Sequence, residues 1–201
     1  MRAAIVLLAA GGSRRMGEHK LLLPWGQTTV VGAALAAACG APVSQIIVVT
    51  GRDAARVEAA CRSVPATGAG VCFIENPRWA EGMLTSVQAG LAALPPGLDG
   101  FFVALGDMPL VEPRVYAGLM QAWAPDRICV PVWDGRRGNP VLLPAALAAE
   151  ALSAPPADVG LRGMLLHHPH RVLELPVDCP GVRIDLDTPE EYSRHAPAPD
   201  A

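Results

Sequence analysis

The chain has 201 residues, 51% of them hydrophobic and 17% charged, enough apolar material for one domain with a sizeable core and too much for a disordered chain. A formal net charge of -3 excludes a general polyanion-binding surface, because proteins that neutralise nucleic-acid phosphates are basic overall. No run approaches the roughly 20 apolar residues of a membrane span. Cys39, Cys61, Cys72, Cys129 and Cys179 are odd in number and contain no Cys-x-x-Cys pair, which speaks against a disulfide framework or a thiolate zinc site.

In chain order, short apolar runs predict strands at residues 3–8, 46–50, 71–75, 101–105 and 128–132. Helical stretches at 31–39, 54–62, 83–94 and 113–123 separate them. The runs are almost continuous in Val, Ile, Leu, Phe and Ala, the composition of strands covered on both faces. Their alternation with helices predicts an α/β, doubly wound, mostly parallel sheet with helices on both faces, Rossmann-like in outline. Beyond about residue 126 the pattern changes. Asp134-Gly135 is a hairpin signal, helices are expected at 145–153 and 161–167, and strands at 172–176 and 182–187. The expectation is a single domain over 1–195, with a hairpin and helical excursion at about 127–170 and a frayed tail at 196–201. A basic cluster behind, not before, the first apolar run argues against a secretory leader. The cysteine usage fits a reducing cytoplasm, with neither nucleic acid nor membrane as a partner.

In open α/β sheets ligands bind beyond the carboxyl ends of the strands, so AAGGSRRMGEHK after the first strand is the first candidate site. Gly11 and Gly12 allow close backbone approach. Successive N–H groups in such a turn make an anion-binding concavity. Ser13 adds a hydroxyl, and Arg15 and Lys20 add charge suited to a polyphosphate. Gly12 and Gly17 have Walker spacing, but Glu18 stands where that loop needs Lys. GGSRRMG also lacks the GxGxxG of a dinucleotide site. An ordinary tight turn with exposed arginines is the alternative.

Asp107 follows the predicted strand 101–105 at the same sheet edge, where a carboxylate can hold Mg2+ against substrate phosphates; a turn or helix-cap aspartate is the alternative. Asp185 and Asp187 flank Leu186 on the last predicted strand, where alternation sets both carboxylates on one face. Such a pair repels unless a cation or proton lies between. Asp187 could instead cap the helix opened by Thr188-Pro189. Asn76, Gly82 and Ser86 surround a helix N-terminus, which attracts anions. Arg52 and Asp53 could reach a base or ribose. Arg136, Arg137 and Asn139 suit a phosphate-bearing acceptor. His167, His168 and His170 form HHPH, in which Pro169 breaks any helical metal-binding face.

Taken together, these motifs resemble a known family. Leu8, Ala10, Gly11, Ser13, Arg15, Met16, Gly17 and Lys20 match the signature of nucleotidyltransferases that act on the molybdenum cofactor. Ala9-Ala10-Gly11 and LLLPWGQTTVV are similar to the cytidylyl-transferring, MocA-type branch. ENPRWAEGMLTSVQAG, LGDMPLV, GRRGNPVLL and RIDLDTPEEY match further family motifs in order along nearly the whole chain. Asn139 departs from the pattern, standing where many members have His.

The resemblance implies Mg2+-dependent transfer of CMP from CTP to the terminal phosphate of molybdopterin, with pyrophosphate leaving. It implies catalytic roles for Arg15, Lys20 and Asp107. It implies nucleotide contacts from Leu8, Ala9, Ala10, Gly11, Gly12, Ser13, Arg15, Lys20, Gly82, Ser86 and Asp107. Acceptor contacts fall to Asn76, Arg137, Gly138, Asn139 and Pro140, and metal ligation to Asp107, Asp185 and Asp187. The implied partners are CTP or GTP, a molybdopterin-type acceptor, and a recipient molybdoenzyme or its maturation chaperone. The attacking phosphate oxygen is already ionised, so no general base is required. The alternatives are GTP as donor, a sugar phosphate as acceptor, or a non-catalytic nucleotide- or cofactor-binding module. Oxidoreduction is disfavoured by the missing dinucleotide fingerprint.

Overall fold

The computed structural model describes residues 1–12, 19–65, 68–155 and 161–198. Strand β1 (Ala3–Ala9) is buried along its whole length, at the centre of the main sheet. A small hairpin, β2 (Pro24–Trp25) with β3 (Thr28–Thr29), leads into α1 (Val30–Cys39). Then come β4 (Gln45–Thr50), α2 (Ala54–Arg62), β5 (Gly70–Glu75), α3 (Met83–Ala92), β6 (Gly100–Leu105) and α4 (Pro113–Ala122). The distal part holds β7 (Ile128–Trp133), β8 (Arg136–Arg137), β9 (Val141–Pro144), α5 (Ala148–Ser153), α6 (Leu161–His167), β10 (Val172–Pro176) and α7 (Pro189–His195).

Among the described residues the main sheet has eight strands in the order β10-β7-β9-β6-β1-β4-β5, with β8 on β7. β1 runs parallel to both neighbours, in a register that sets Leu8 beside Leu105 and Ala9 beside Thr50. β9, between β6 and β7, and the short β8 beside β7 run the other way. The Asp134-Gly135 turn has positive φ at both residues, 49° and 69°, the geometry of a tight hairpin turn.

Alternation along the strands divides the core between two faces. Ile5, Leu7 and Phe102 pack with Leu35, Val57, Tyr116 and Leu119 on one side. Val6, Val49 and Phe101 pack with Leu84, Val87, Ala151 and Met164 on the other. Helices thus cover both faces, as the continuous apolar runs require. Among the described residues no helix is long and apolar enough to cross a membrane.

α3 lies so close to the sheet that a Cβ on Gly90 would collide with Val6 Cγ1 and stand 2.9 Å from Val49 Cγ2. Gly90→Ala is therefore expected to cost about 1–3 kcal/mol by overpacking, despite alanine's better helix propensity. Urea unfolding of the purified variant measures this directly.

The strand expected at 182–187 does not form. Pro180–Arg183 is a single 3-10 turn, and irregular backbone continues to Thr188. Pro180 fixes φ and has no N–H for a ladder. Gly181 is pressed against the Leu110 carbonyl, where a Cβ would overlap it. Two helices also end earlier than expected, at Ala92 and Ala122.

Candidate active site

The parallel neighbours β1 and β6 deliver Ala10 and Asp107 to one sheet edge. The Gly106 N–H donates to the Leu8 carbonyl at 2.8 Å and extends the ladder past the end of β6. A cavity of about 410 Å³ opens there, lined by Ala10, Gly11, Gly12, Lys20, Trp79, Gly82, Met83, Ser86 and Asp107, with Leu8, Leu21, Ala80 and Leu105. Ser13 and Arg15, with Met16 and Gly17, lie outside the described residues.

Lys20 begins the 3-10 turn Lys20–Leu22 and is buried, at 8% exposure. Its Nζ lies 2.6 Å from Asp107 Oδ2 and 2.6 Å from Asp187 Oδ1. Burial alone would lower the Lys20 pKa, but the two carboxylates outweigh it and hold the ammonium above the ordinary lysine range. The clamp joins residues 167 positions apart.

Three backbone contacts bring Asp187 to this place. Asn139 N–H donates to the Val182 carbonyl at 2.9 Å, and Leu186 N–H to the Asp107 carbonyl at 3.1 Å. Gly181 lies flat on Leu110. The two aspartates therefore reach the site by tertiary contacts and not by strand alternation. Thr188, not Asp187, caps α7. Its hydroxyl accepts from Glu191 N–H, while the Glu191 carboxylate accepts from both the Thr188 and Asp187 N–H groups. This capping box leaves the Asp187 carboxylate to Lys20.

Asp185 is exposed by its surface area, but partial desolvation by its surroundings raises its pKa, with repulsion from Asp187, Asp107 and Glu191 adding to the rise. A carboxyl whose folded pKa lies above its unfolded one favours the fold below the unfolded pKa. It loses that contribution as pH rises through the folded value. At neutral pH the Asp185 charge is therefore a net cost. Asp185→Asn is expected to raise the melting temperature at pH 7 without divalent ions, and to shrink the further rise that Mg2+ or Mn2+ gives the wild type. Thermal melts with and without the ion measure both.

Among the described residues, no three Asp, Glu, His or Cys side chains converge as a ready-made metal cage. Asp107 at the cavity wall, with Asp187 beside it on Lys20, nevertheless offers the one or two hard oxygen donors that a divalent cation needs from a protein. Mg2+ usually takes one or two carboxylates and completes its shell with substrate phosphates and water.

Asn76 is buried and braces the site from behind. Its Nδ2 donates to Thr85 Oγ1 and Ser86 Oγ, both at 2.9 Å, and its Oδ1 accepts from Arg78 N–H. It thereby fixes the first turn of α3, where Gly82 adopts φ 128°. Arg137 pairs with Glu174 at 2.7 Å on the outer strands. Gly138 packs on Val182 so tightly that no Cβ fits. Pro140 follows Asn139 at the entry to β9. These acceptor-side residues line up beside the Val182–Asp187 segment and do not line the cavity. His168 bonds Glu150 at 2.7 Å, with His167 at 3.7 Å from the same carboxylate, far along the chain from the glycine turn.

Two residues near the site escaped the sequence reading or were given another use. Arg52 Nη1 donates to the Gly12 carbonyl at 2.8 Å, bracing the turn. Trp79 lies against Gly12 and Gly51. Its only sequence signal is a lone aromatic between a strand and a helix start.

Residues 5–172 match the model of the MobA-like NTP transferase domain. The chain is 29% identical over 189 residues to the molybdenum cofactor cytidylyltransferase of Escherichia coli K12, covering 93% of this chain and 92% of that protein. It is 30% identical over 198 residues to nicotine blue oxidoreductase of Paenarthrobacter nicotinovorans, covering 94% of each. The manganese complex of Rv0371c from Mycobacterium tuberculosis H37Rv superposes with a TM-score of 0.76 at 30% identity over 98% of both chains. A glycine turn and an acidic edge at the carboxyl ends of β1 and β6, read with a family match over most of the chain, make this protein a member of the MobA-like NTP transferase family.

Proposed function

We propose that the protein moves CMP from CTP to the terminal phosphate of a molybdopterin-type acceptor and releases pyrophosphate, with Mg2+ as the cation. The observation that carries this reading is the Lys20 ammonium held between Asp107 and Asp187 beside the Ala10–Gly12 turn. Positive charge and backbone N–H groups converge where phosphates would lie, and carboxylates stand ready on the same edge.

The chemistry asked of the chain is positioning and charge neutralisation. The acceptor's phosphate oxygen is ionised near neutral pH, so no side chain has to remove a proton. The N–H groups of Gly11 and Gly12 cradle the phosphates of the nucleotide, with Ser13 and Arg15 assigned to the same task from the sequence. Lys20 carries charge to the leaving pyrophosphate. Leu8 and Ala10 set the floor beneath the nucleotide, Ala9 lies fully buried in the core between them, and Gly82 and Ser86 form the opposite wall. Asp107, with Asp185 and Asp187, would hold the divalent cation, which when bound neutralises phosphate charge. Arg137, Gly138, Asn139 and Pro140 face the acceptor, and Asn76 supports Ser86. CTP is preferred over GTP on the Ala9-Ala10-Gly11 turn and the name of the Escherichia coli relative. A molybdoenzyme or its maturation chaperone would receive the product.

The test is pyrophosphate release with purified molybdopterin, comparing CTP with GTP and Mg2+ with Mn2+ and EDTA. Release with CTP and a divalent ion is expected. Release with GTP alone would overturn the base assignment, and silence with both would overturn the acceptor. The oxidoreductase name of one relative favours a second reading, redox chemistry, which predicts oxidation of NADH or NADPH in the same preparation.

A further inference from the structure

Trp79 has a placement that packing does not explain. It is half-buried, yet it belongs to none of the buried apolar clusters of the described residues. Its side chain packs over two glycine positions, Gly12 and Gly51. A Cβ on Gly51 would stand 2.6 Å from Trp79 Cβ, and one on Gly12 would stand 3.0 Å from Cζ3. The glycines at the ends of β4 and of the phosphate turn therefore make the slot that admits the indole. The indole lines the same cavity as Ala10, Lys20 and Asp107. Indole has a large apolar face, and a planar heteroaromatic ring is the ligand such a face takes best.

We propose that Trp79 is the stacking wall for the base of the bound nucleotide. This rests on the nucleotide reading above. The base, and not a ring of the acceptor, is the occupant because the cavity wall is built from the glycine turn and the start of α3. Arg137 to Pro140 do not line it. Stacking recognises the presence of a base more than its identity, so Trp79 separates nucleotides from bare polyphosphates, and Ala10 is left to discriminate between bases.

The experiment is calorimetric titration of the wild type, Trp79→Phe and Trp79→Leu with CTP, and with tripolyphosphate as a base-free probe. Base–aromatic stacking predicts that Trp79→Leu weakens CTP binding by about five- to a hundredfold. Trp79→Phe should retain most of the affinity, and tripolyphosphate should bind all three proteins alike. CTP should also quench the wild-type indole fluorescence where tripolyphosphate does not, and this quench should vanish in Trp79→Phe. The fluorescence arm decides the matter even if Trp79→Leu fails to fold. Unchanged CTP affinity in Trp79→Leu sinks the stacking role alone. Equal losses for CTP and tripolyphosphate reduce Trp79 to a structural wedge and overturn the proposal. A wild type that binds neither CTP nor GTP removes the nucleotide reading and this inference together.

Discussion

Replacement of Lys20 by methionine is expected to lower turnover by about a hundred- to a thousandfold, the usual loss when one preorganised donor to developing charge is removed. Methionine keeps the length and apolar stem but removes the ammonium that bridges Asp107 and Asp187. Stranding a buried charge commonly costs several kcal/mol. Here Asp107 is 21% and Asp187 40% exposed, so solvent screening reduces the loss to about 2 kcal/mol. The variant should be folded, somewhat less stable and nearly inactive. Because the folded Lys20 pKa is raised, the wild-type advantage is fully present below the unfolded lysine pKa. It is lost only as pH climbs through the folded value, so the stability gap should be flat across neutral pH and close in alkali. Parallel denaturant titrations and pyrophosphate assays measure the two effects. A variant with full turnover would remove Lys20 from the reaction.

The second large effect is expected from a residue that touches no substrate. Gly181→Ala places a Cβ on the carbonyl of Leu110, and two backbone segments cannot both keep their courses. Overpacking of this kind costs about 3 kcal/mol, or roughly 6–12 °C in melting temperature for a chain of this size. The segment that must shift carries Asp185 and Asp187, so activity should fall further than stability alone predicts. Gly118→Ala is the control. Its nearest neighbour, Leu175 Cδ2, stands at 3.7 Å, and an alanine inside α4 should be neutral or stabilise by up to about 1 kcal/mol. Calorimetric melts and assays on both variants separate the collision from the mere presence of a methyl group.

The central strands were legible because they are buried on both faces. The runs at 3–8, 46–50, 71–75, 101–105 and 128–132 all became strands, each extended by one residue at one end, although the 71–75 run lies at the sheet edge and is only partly buried. The segment 182–187 misled because Val182 and Leu186 are indeed fully buried at period-two spacing. Alternating burial marks a strand only where the backbone finds a ladder, and here it bonds to Asp107 and Asn139 instead. Lys20 and Asp107 could be placed from local motifs, since both follow the carboxyl ends of neighbouring strands. Their joint clamp with Asp187 could not, because it depends on Gly138 and Gly181 admitting the last irregular segment between them. Trp79 was invisible for another reason: one aromatic in a loop has no period to read.

The reversed pair of strands, β8 and β9, has a geometric consequence for the chemistry. In a sheet of parallel strands, each return to the same edge requires a crossover of a dozen or more residues. β9 runs the other way, pairing Val141 with Val103 and Pro144 with Gly100. The chain therefore leaves β7 at the working edge and re-enters β9 from that edge, spending only residues 134–140 in between. Those residues stay bonded to the frame: Arg136 and Arg137 pair with β7, Gly138 N–H donates to the Pro131 carbonyl and Asn139 N–H to the Val182 carbonyl. The length and contents of this connection can change without re-pairing β1 with β4 and β6, so on the proposed reading one scaffold can keep its donor and exchange its acceptor.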